Sequence, residues 1–173
     1  IIESSYERLL DIMQEQFASH DFMLGDRPGR GDFGIYGQFT QLVKWDPTSM
    51  AVAAKRAIKT INWTDRMDDL SWLPVDGNDG WVSLEDLPAA THKLLAEIGS
   101  TYAPFMVANA QALMSGADEV VCEIHGQTYR QGPFAYQGKC LKWLRDGYAA
   151  LTDTDRSRVD AALDGTGCEV LFA

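Results

Sequence analysis

No apolar run in this sequence approaches the ~20 residues that a membrane-spanning helix requires, so no transmembrane segment is expected. There is also no C-x-x-C pair. Cys122, Cys140 and Cys168 are odd in number and far apart, which suits reduced thiols in a cytoplasmic protein better than a disulfide framework. Lys and Arg total 15 against 25 Asp and Glu, a formal charge of −10, and the basic residues do not cluster. That excludes a nucleic-acid-binding face and leaves a solvated acidic surface. The three histidines, His20, His92 and His125, are dispersed, and none has a second ligand type three or four residues away on an evident helix face. No metal centre is expected. G-x-S-x-G is missing, as are internal repeats, low-complexity segments, a secretory signal and any strand–helix–strand alternation. The chain opens on Ile1-Ile2, so it is expected to be a fragment, a processed product or the ordered part of something longer.

What remains is a folded chain. Apolar residues make up 46% and there are five tryptophans, enough for one substantial core with an appendage. The organising stretch is GDRPGRGDFGIYGQFTQLVKW, Gly25 to Trp45. With Gly29 as N-cap, Asp32 falls at N3. There it can accept from the Gly29 N–H and complement the positive helix end, while Pro28 and Phe33 form a hydrophobic staple. Phe33, Tyr36, Phe39 and Leu42 or Val43 then recur at helical spacing. Gly31, Gly34 and Gly37 each cost a helix about 1 kcal/mol relative to Ala. A helix that carries all three is expected to be packed on several sides, with the glycines admitting neighbouring backbones.

Two other readings of these letters fail on context. Gly29-Arg30-Gly31-Asp32-Phe33-Gly34 fits G-x-G-x-x-G, but only Phe22-Met23-Leu24 could serve as the preceding strand, and Asp32 would face a pyrophosphate. Arg30-Gly31-Asp32 spells an adhesion tripeptide, which needs an exposed loop in a secreted protein.

On either side, the pattern is helical. Tyr6, Leu9, Leu10, Met13 and Phe17 mark an amphipathic helix over residues 3 to 20. Asp46-Pro47 caps a helix through Ala57, and Ile61, Trp63 and Met67 mark another over residues 60 to 70. SWLPVDGNDGWV, residues 71 to 82, reads as a loop pinned at its ends by Trp72 and Trp81. Helix follows from a cap near Ser83 to Met114, interrupted near Gly99 and ended by Gly116. From Glu119 to Gln131 the period becomes two, with Val120, Cys122, Ile124 and Tyr129 on one face. This is a hairpin turning at His125-Gly126. Two more helices carry Tyr136 to Tyr148 and, after a Thr152–Asp155 cap, Val159 and Leu163. Cys140 has Lys139 and Lys142 beside it, but its helical neighbours Tyr136 and Trp143 suggest a buried structural thiol. Asp68-Asp69 and Asp153-Asp155 read as solvated helix ends. Phe17, Phe22, Tyr36, Phe39 and Trp45 read as core before ligand contacts.

Gly25, Pro28, Gly29, Asp32 and Phe33, followed by Tyr36-Gly37-Gln38, resemble the folding motif that opens the core helix of the glutathione transferase C-terminal domain. The family usually has Ser or Thr where this chain has Gly29, which removes the side-chain half of the cap, although Gly is tolerated there. Trp63-Thr64-Asp65-Arg66 matches the family's Trp-x-x-Arg. Tyr102-Ala103-Pro104-Phe105, Ala108-Asn109-Ala110, Tyr136-Gln137 with Lys139-Cys140-Leu141, and Gly165-Thr166-Gly167-Cys168-Glu169 are similar to a bacterial branch of long glutathione transferase-like proteins.

The resemblance implies an all-α fold: a helical bundle of the transferase C-terminal type over residues 1–115, with a small β-hairpin and helical extension over 116–173. It implies the electrophile side of a transferase whose co-substrate is glutathione, held mainly by a thioredoxin-like N-terminal domain that this sequence does not contain. Expected partners are that domain, a small apolar electrophile and a second copy in a homodimer, with no nucleic acid or membrane. No residue here receives a catalytic, cofactor-binding or metal-ligating role. The competing reading is a non-catalytic helical interaction or dimerisation module. Asp32→Ala is expected to cost roughly 1 kcal/mol, and Gly29→Ser to be neutral or stabilising.

Overall fold

The computed structural model describes residues 2–74, 77 and 79–173. Among these are seven α-helices and one two-stranded antiparallel sheet, so the mostly helical fold with one hairpin holds. The chain forms two compact units, Ile1–Thr91 and His92–Ala173. Their boundary falls inside a helix rather than at 115/116, so most of that helix belongs with the hairpin.

The first unit contains α1 (Ile2–Gln16), α2 (Arg30–Lys44), α3 (Pro47–Arg56) and α4 (Ile58–Asp68). α1 turns Leu10 and Met13 fully inward, and they meet Phe39 and Val43 of α2, Ala53 of α3, and Trp63 and Met67 of α4. Trp63 anchors this core: Phe17 stacks on it at 5.0 Å and Phe39 meets it edge-on at 6.1 Å. Asp46 caps α3 by accepting from the Thr48 and Ser49 N–H groups at 2.8 and 3.1 Å, with Pro47 at the first position. α3 ends at Ala57, whose φ of −142° breaks the helical run before α4 begins. Arg66 of α4 ties down the first half of the α1–α2 connection, pairing with the Asp21 carboxylate at 2.6 Å and donating to its carbonyl at 3.0 Å.

α2 buries Asp32, Phe39 and Val43, with Ile35, Tyr36 and Leu42 half-covered. Phe33 lies on the other side and is 53% exposed, so the apolar stripe is rotated one position from the one its aromatic spacing suggests. The expected close approach at the glycines is overturned. A Cβ added at Gly31, Gly34 or Gly37 would meet nothing within 4 Å, and all three face outward. The helix is packed along one face only, and its support is the Trp63 core.

Gly25 is where close approach does occur. Its φ is +123°, and a Cβ there would lie 2.3 Å from the Gly80 carbonyl oxygen. Asp26 N–H donates to Gly80 O at 2.7 Å and Val82 N–H to Leu24 O at 2.9 Å, which stitches the loop before α2 to the far end of the 71–82 segment. Trp81 is pinned as expected, its ring 3.6 Å from the Cβ position of Gly29. Trp72 is more than half exposed, and Val75, Asp76 and Asn78 of that loop lie outside the described residues.

In the second unit, α5 (Ala89–Ser115) runs without interruption through both Gly99 and Pro104. Gly99 is a contact rather than a break: its Cβ would fall 2.0 Å from the Thr166 carbonyl oxygen and 2.9 Å from the Cys168 nitrogen. Gly116, at φ +69°, ends the helix, and Ala117 N–H reaches back to Ala112 O at 3.0 Å. β1 (Val120–Ile124) and β2 (Gln127–Gln131) pair with Cys122 opposite Tyr129. His125 and Gly126 both have positive φ, as a two-residue primed turn requires. α6 (Ala135–Ala149), α7 (Asp153–Leu163) and a 3-10 turn, Cys168–Leu171, complete the unit. Its core is Ala103, Met106, Leu141, Cys168 and Leu171.

Candidate functional site

Asp32 is the most unusual side chain in the first unit, a carboxylate only 1% exposed. One oxygen accepts from Met23 N–H at 2.9 Å and the other from Gly29 N–H at 2.9 Å. It thus closes the cap and fastens the preceding loop at once. The Trp63 indole N–H also favours its charged form from nearby, although that N–H has no hydrogen bond of ordinary geometry. Burial nevertheless outweighs these donors and holds the Asp32 pKa above the ordinary carboxylate value. The same loop is gripped from α1. Gln16, itself buried, donates to the Phe22 and Met23 carbonyls at 3.3 and 3.1 Å and accepts from the Thr91 hydroxyl at 3.2 Å. Asp32 and Gln16 are therefore structural: their hydrogen bonds go to backbone and Thr91, the Trp63 indole lies beside Asp32, and both side chains are about 1% exposed.

Space for a ligand lies elsewhere in this unit, in a cavity of about 450 Å³ beside the N-termini of α1 and α3. Ile2, Tyr6, Leu42 and Val52 give it apolar walls, and Glu3 and Asp46 stand at its edge. The Tyr6 hydroxyl lies 3.2 Å from Ser49 O and 3.4 Å from Leu42 O, so its single proton is committed to backbone. Burial first, and then the Asp46 charge, push the Tyr6 pKa upward, which keeps the phenol neutral. The cavity is of a size that takes a small organic molecule. It offers apolar contact, two carboxylates and no cation.

A polar cluster joins α2 to α4. Lys44 pairs with Asp65 at 2.9 Å and with Asp68, and Asp68 also accepts from the Tyr36 hydroxyl. The Asp68 hydrogen bond raises the Tyr36 pKa, while Lys44 and then Tyr36 lower that of Asp68. Asp69 accepts from Ser71 N–H at 2.9 Å. These are solvent-facing helix-end contacts, and they leave no carboxylate poised to move a proton.

The titratable residues singled out in the sequence do not converge. His92 is exposed on α5, His20 follows the end of α1, and His125 sits in the hairpin turn with Nε2 3.7 Å from a Glu97 oxygen. No group of three or more potential metal ligands exists among the described residues. All three cysteines are free. The Cys168 thiol, buried at the 3-10 turn, donates to Leu95 O at 3.2 Å, and burial raises its pKa. Cys140 is half-buried, but not for the expected reason. Tyr136 and Trp143 are 55% and 58% exposed and meet each other edge-on at 6.2 Å, outside the core. Of the five aromatics assigned to the core, Phe22 and Phe39 are there, Phe17 and Tyr36 are half-covered and Trp45 is 75% exposed.

No local motif signals the Tyr6 cavity, because its walls come from three helices. No helix among the described residues is long and apolar enough to cross a membrane. Comparison with family models, curated proteins and solved structures found no match to this chain.

Proposed function

We propose that this chain is the electrophile-side domain of a glutathione transferase-like protein, working with a thioredoxin-like half that this sequence does not contain. The observation that carries the reading is the Asp32 clamp. A buried carboxylate three residues past the N-cap, tied back to the loop before the central helix, is what the resemblance to the family's folding motif implies. The Tyr6 cavity supports the same division of labour from the chemical side. Its apolar walls suit an uncharged electrophile. An unperturbed thiol has a pKa of about 8.5, and conjugation requires that value to fall. Glu3 and Asp46 at the cavity edge would disfavour a thiolate, so activation belongs to donors or cations on another domain.

The experiment compares the 173-residue chain with the full product of its gene, using glutathione, an aryl halide and immobilised glutathione. The chain alone is expected to show no conjugation above the uncatalysed rate and no retention. The full product, if it carries the thioredoxin-like half, should show at least one of the two. Turnover by the chain alone refutes the proposal, with Cys140 the first residue to mutate. A full product that neither turns over nor binds leaves the interaction-module reading in its place.

A further inference from the structure

A second recess lies within the other unit, between the C-terminal part of α5 and one stripe of α6, with a volume of about 540 Å³. Its floor is apolar: Ala110, Leu113 and Met114 come from α5, and Ala135 and Leu141 from α6. Gly138 allows the two helices to meet there, since a Cβ on it would lie 2.7 Å from Leu113 Cδ1. Its rim is cationic. Lys139, Lys142 and Arg145 line it against a single carboxylate, Asp146, in a chain whose formal charge is −10.

Only one of the three cations is held in an ion pair among the described residues, and that pair is exposed. Lys142 pairs with Asp146 at 2.5 Å across one exposed helical turn, a contact of the kind that contributes little and exchanges readily with other anions. Arg145 gives its Nε–H to the Leu171 carbonyl at 2.6 Å, which fixes the guanidinium at the rim with its remaining N–H groups uncommitted. Lys139 has no acceptor among the described residues. Met114, 80% exposed, adds a flexible apolar side chain to the lining.

We propose that this recess binds an amphipathic organic anion, an aliphatic chain ending in a carboxylate, with the chain on the Leu113–Leu141 floor and the carboxylate at Lys139, Lys142 and Arg145. An uncharged electrophile would make no use of the rim. A recess of about 540 Å³ is of the size that takes a small organic molecule. Charge complementarity therefore selects a small anion. The site shares no lining residue with the Tyr6 cavity and does not depend on any transferase activity.

Decanoate is the probe, titrated by calorimetry into the 173-residue chain, with decanol as its neutral counterpart. The expected result is saturable one-to-one binding by decanoate, weakened by added salt, with decanol at least about tenfold weaker because charge-assisted hydrogen bonds are lost. Lys139→Gln with Lys142→Gln should weaken decanoate by about tenfold or more and leave decanol unchanged. Both changes are on exposed positions of α6 and should not disturb folding. Ala135→Trp, at another exposed position, should fill the recess and abolish both. Equal affinity for decanoate and decanol overturns the proposal, as does no saturable binding below about 1 mM, or decanoate binding that survives the lysine changes. Self-association that disappears with the lysine changes, without decanoate binding, also overturns it and assigns the recess to a second copy of the chain.

Discussion

Removing the Asp32 carboxylate should unfasten two segments together, and its cost follows from the donors left behind. Asp32→Ala strands the buried Met23 N–H, whose loss of a partner costs about 1–3 kcal/mol. It also strands the half-buried Gly29 N–H, which water can reach, at a cost nearer that of a lost cap, about 0.5–1 kcal/mol. Relief of a desolvated charge offsets part of this, so the net loss should be about 2–3 kcal/mol, well above the roughly 1 kcal/mol expected of a surface cap. Four of the five tryptophans belong to the first unit, so the fluorescence-detected urea midpoint reports mainly on that unit. Burial raises the Asp32 pKa above its unfolded value, so the folded protein holds this proton more tightly. The stability it contributes is complete below the unfolded pKa and is lost as pH rises through the folded one. The difference between wild type and Asp32→Ala should therefore shrink as pH rises from about 4 towards neutrality. An unchanged midpoint would mean that the clamp carries no stability. A difference that grows with pH would mean that the donors, not burial, dominate the carboxylate.

Two other substitutions test the backbone arguments. Gly99→Ala should destabilise the second unit by about 2–3 kcal/mol in a thermal melt, because the new methyl meets the backbone of Thr166 and Cys168; a melting temperature within error of wild type would refute the close approach. Gly29→Ser should be neutral or stabilising by a few tenths of a kcal/mol, since its extended φ of −96° suits any residue and the Cβ position has only ordinary contacts with Trp81 and Asp32. A clear loss in denaturant midpoint for that variant would show that Trp81 cannot yield.

How far the sequence could be read depended on whether the relevant signal was local. The α3 cap at Asp46-Pro47 and the primed turn at His125-Gly126 are written in adjacent residues and appear where expected. Apolar spacing located α1 and α4 because a single buried face dominates each. α2 shows where spacing misleads. Its aromatics suggested Phe33 as an inward residue, yet the buried positions follow Asp32, Ile35, Phe39 and Val43, set by a polar residue that hydropathy discounts. Glycine is ambiguous for a related reason. Gly25 and Gly99 are required by backbone passing within van der Waals distance, from Gly80 and Thr166 respectively, whereas Gly31, Gly34 and Gly37 face open space. Nothing in the neighbouring letters separates these cases, because the atom that decides each lies more than fifty positions away.

The same dependence on distant partners governs what could be known of the sites. Asp32 was legible as a cap because Gly29 is three residues off, but its second acceptor role needed Met23 placed by Gln16, and Gln16 placed by Thr91. Each link fixes the next: a buried amide holds two carbonyls, the loop they belong to presents one N–H, and a buried carboxylate waits for it. Cap and loop are therefore one polar assembly under an apolar core, and both should weaken together when any member is removed. The two recesses have no comparable signature. The Tyr6 cavity and the cation-rimmed recess are each bounded by side chains from different helices, ordinary in composition and distinguished only by where the helices meet. Local chemistry wrote the frame of this protein into its sequence, while its ligand-sized spaces arise from packing.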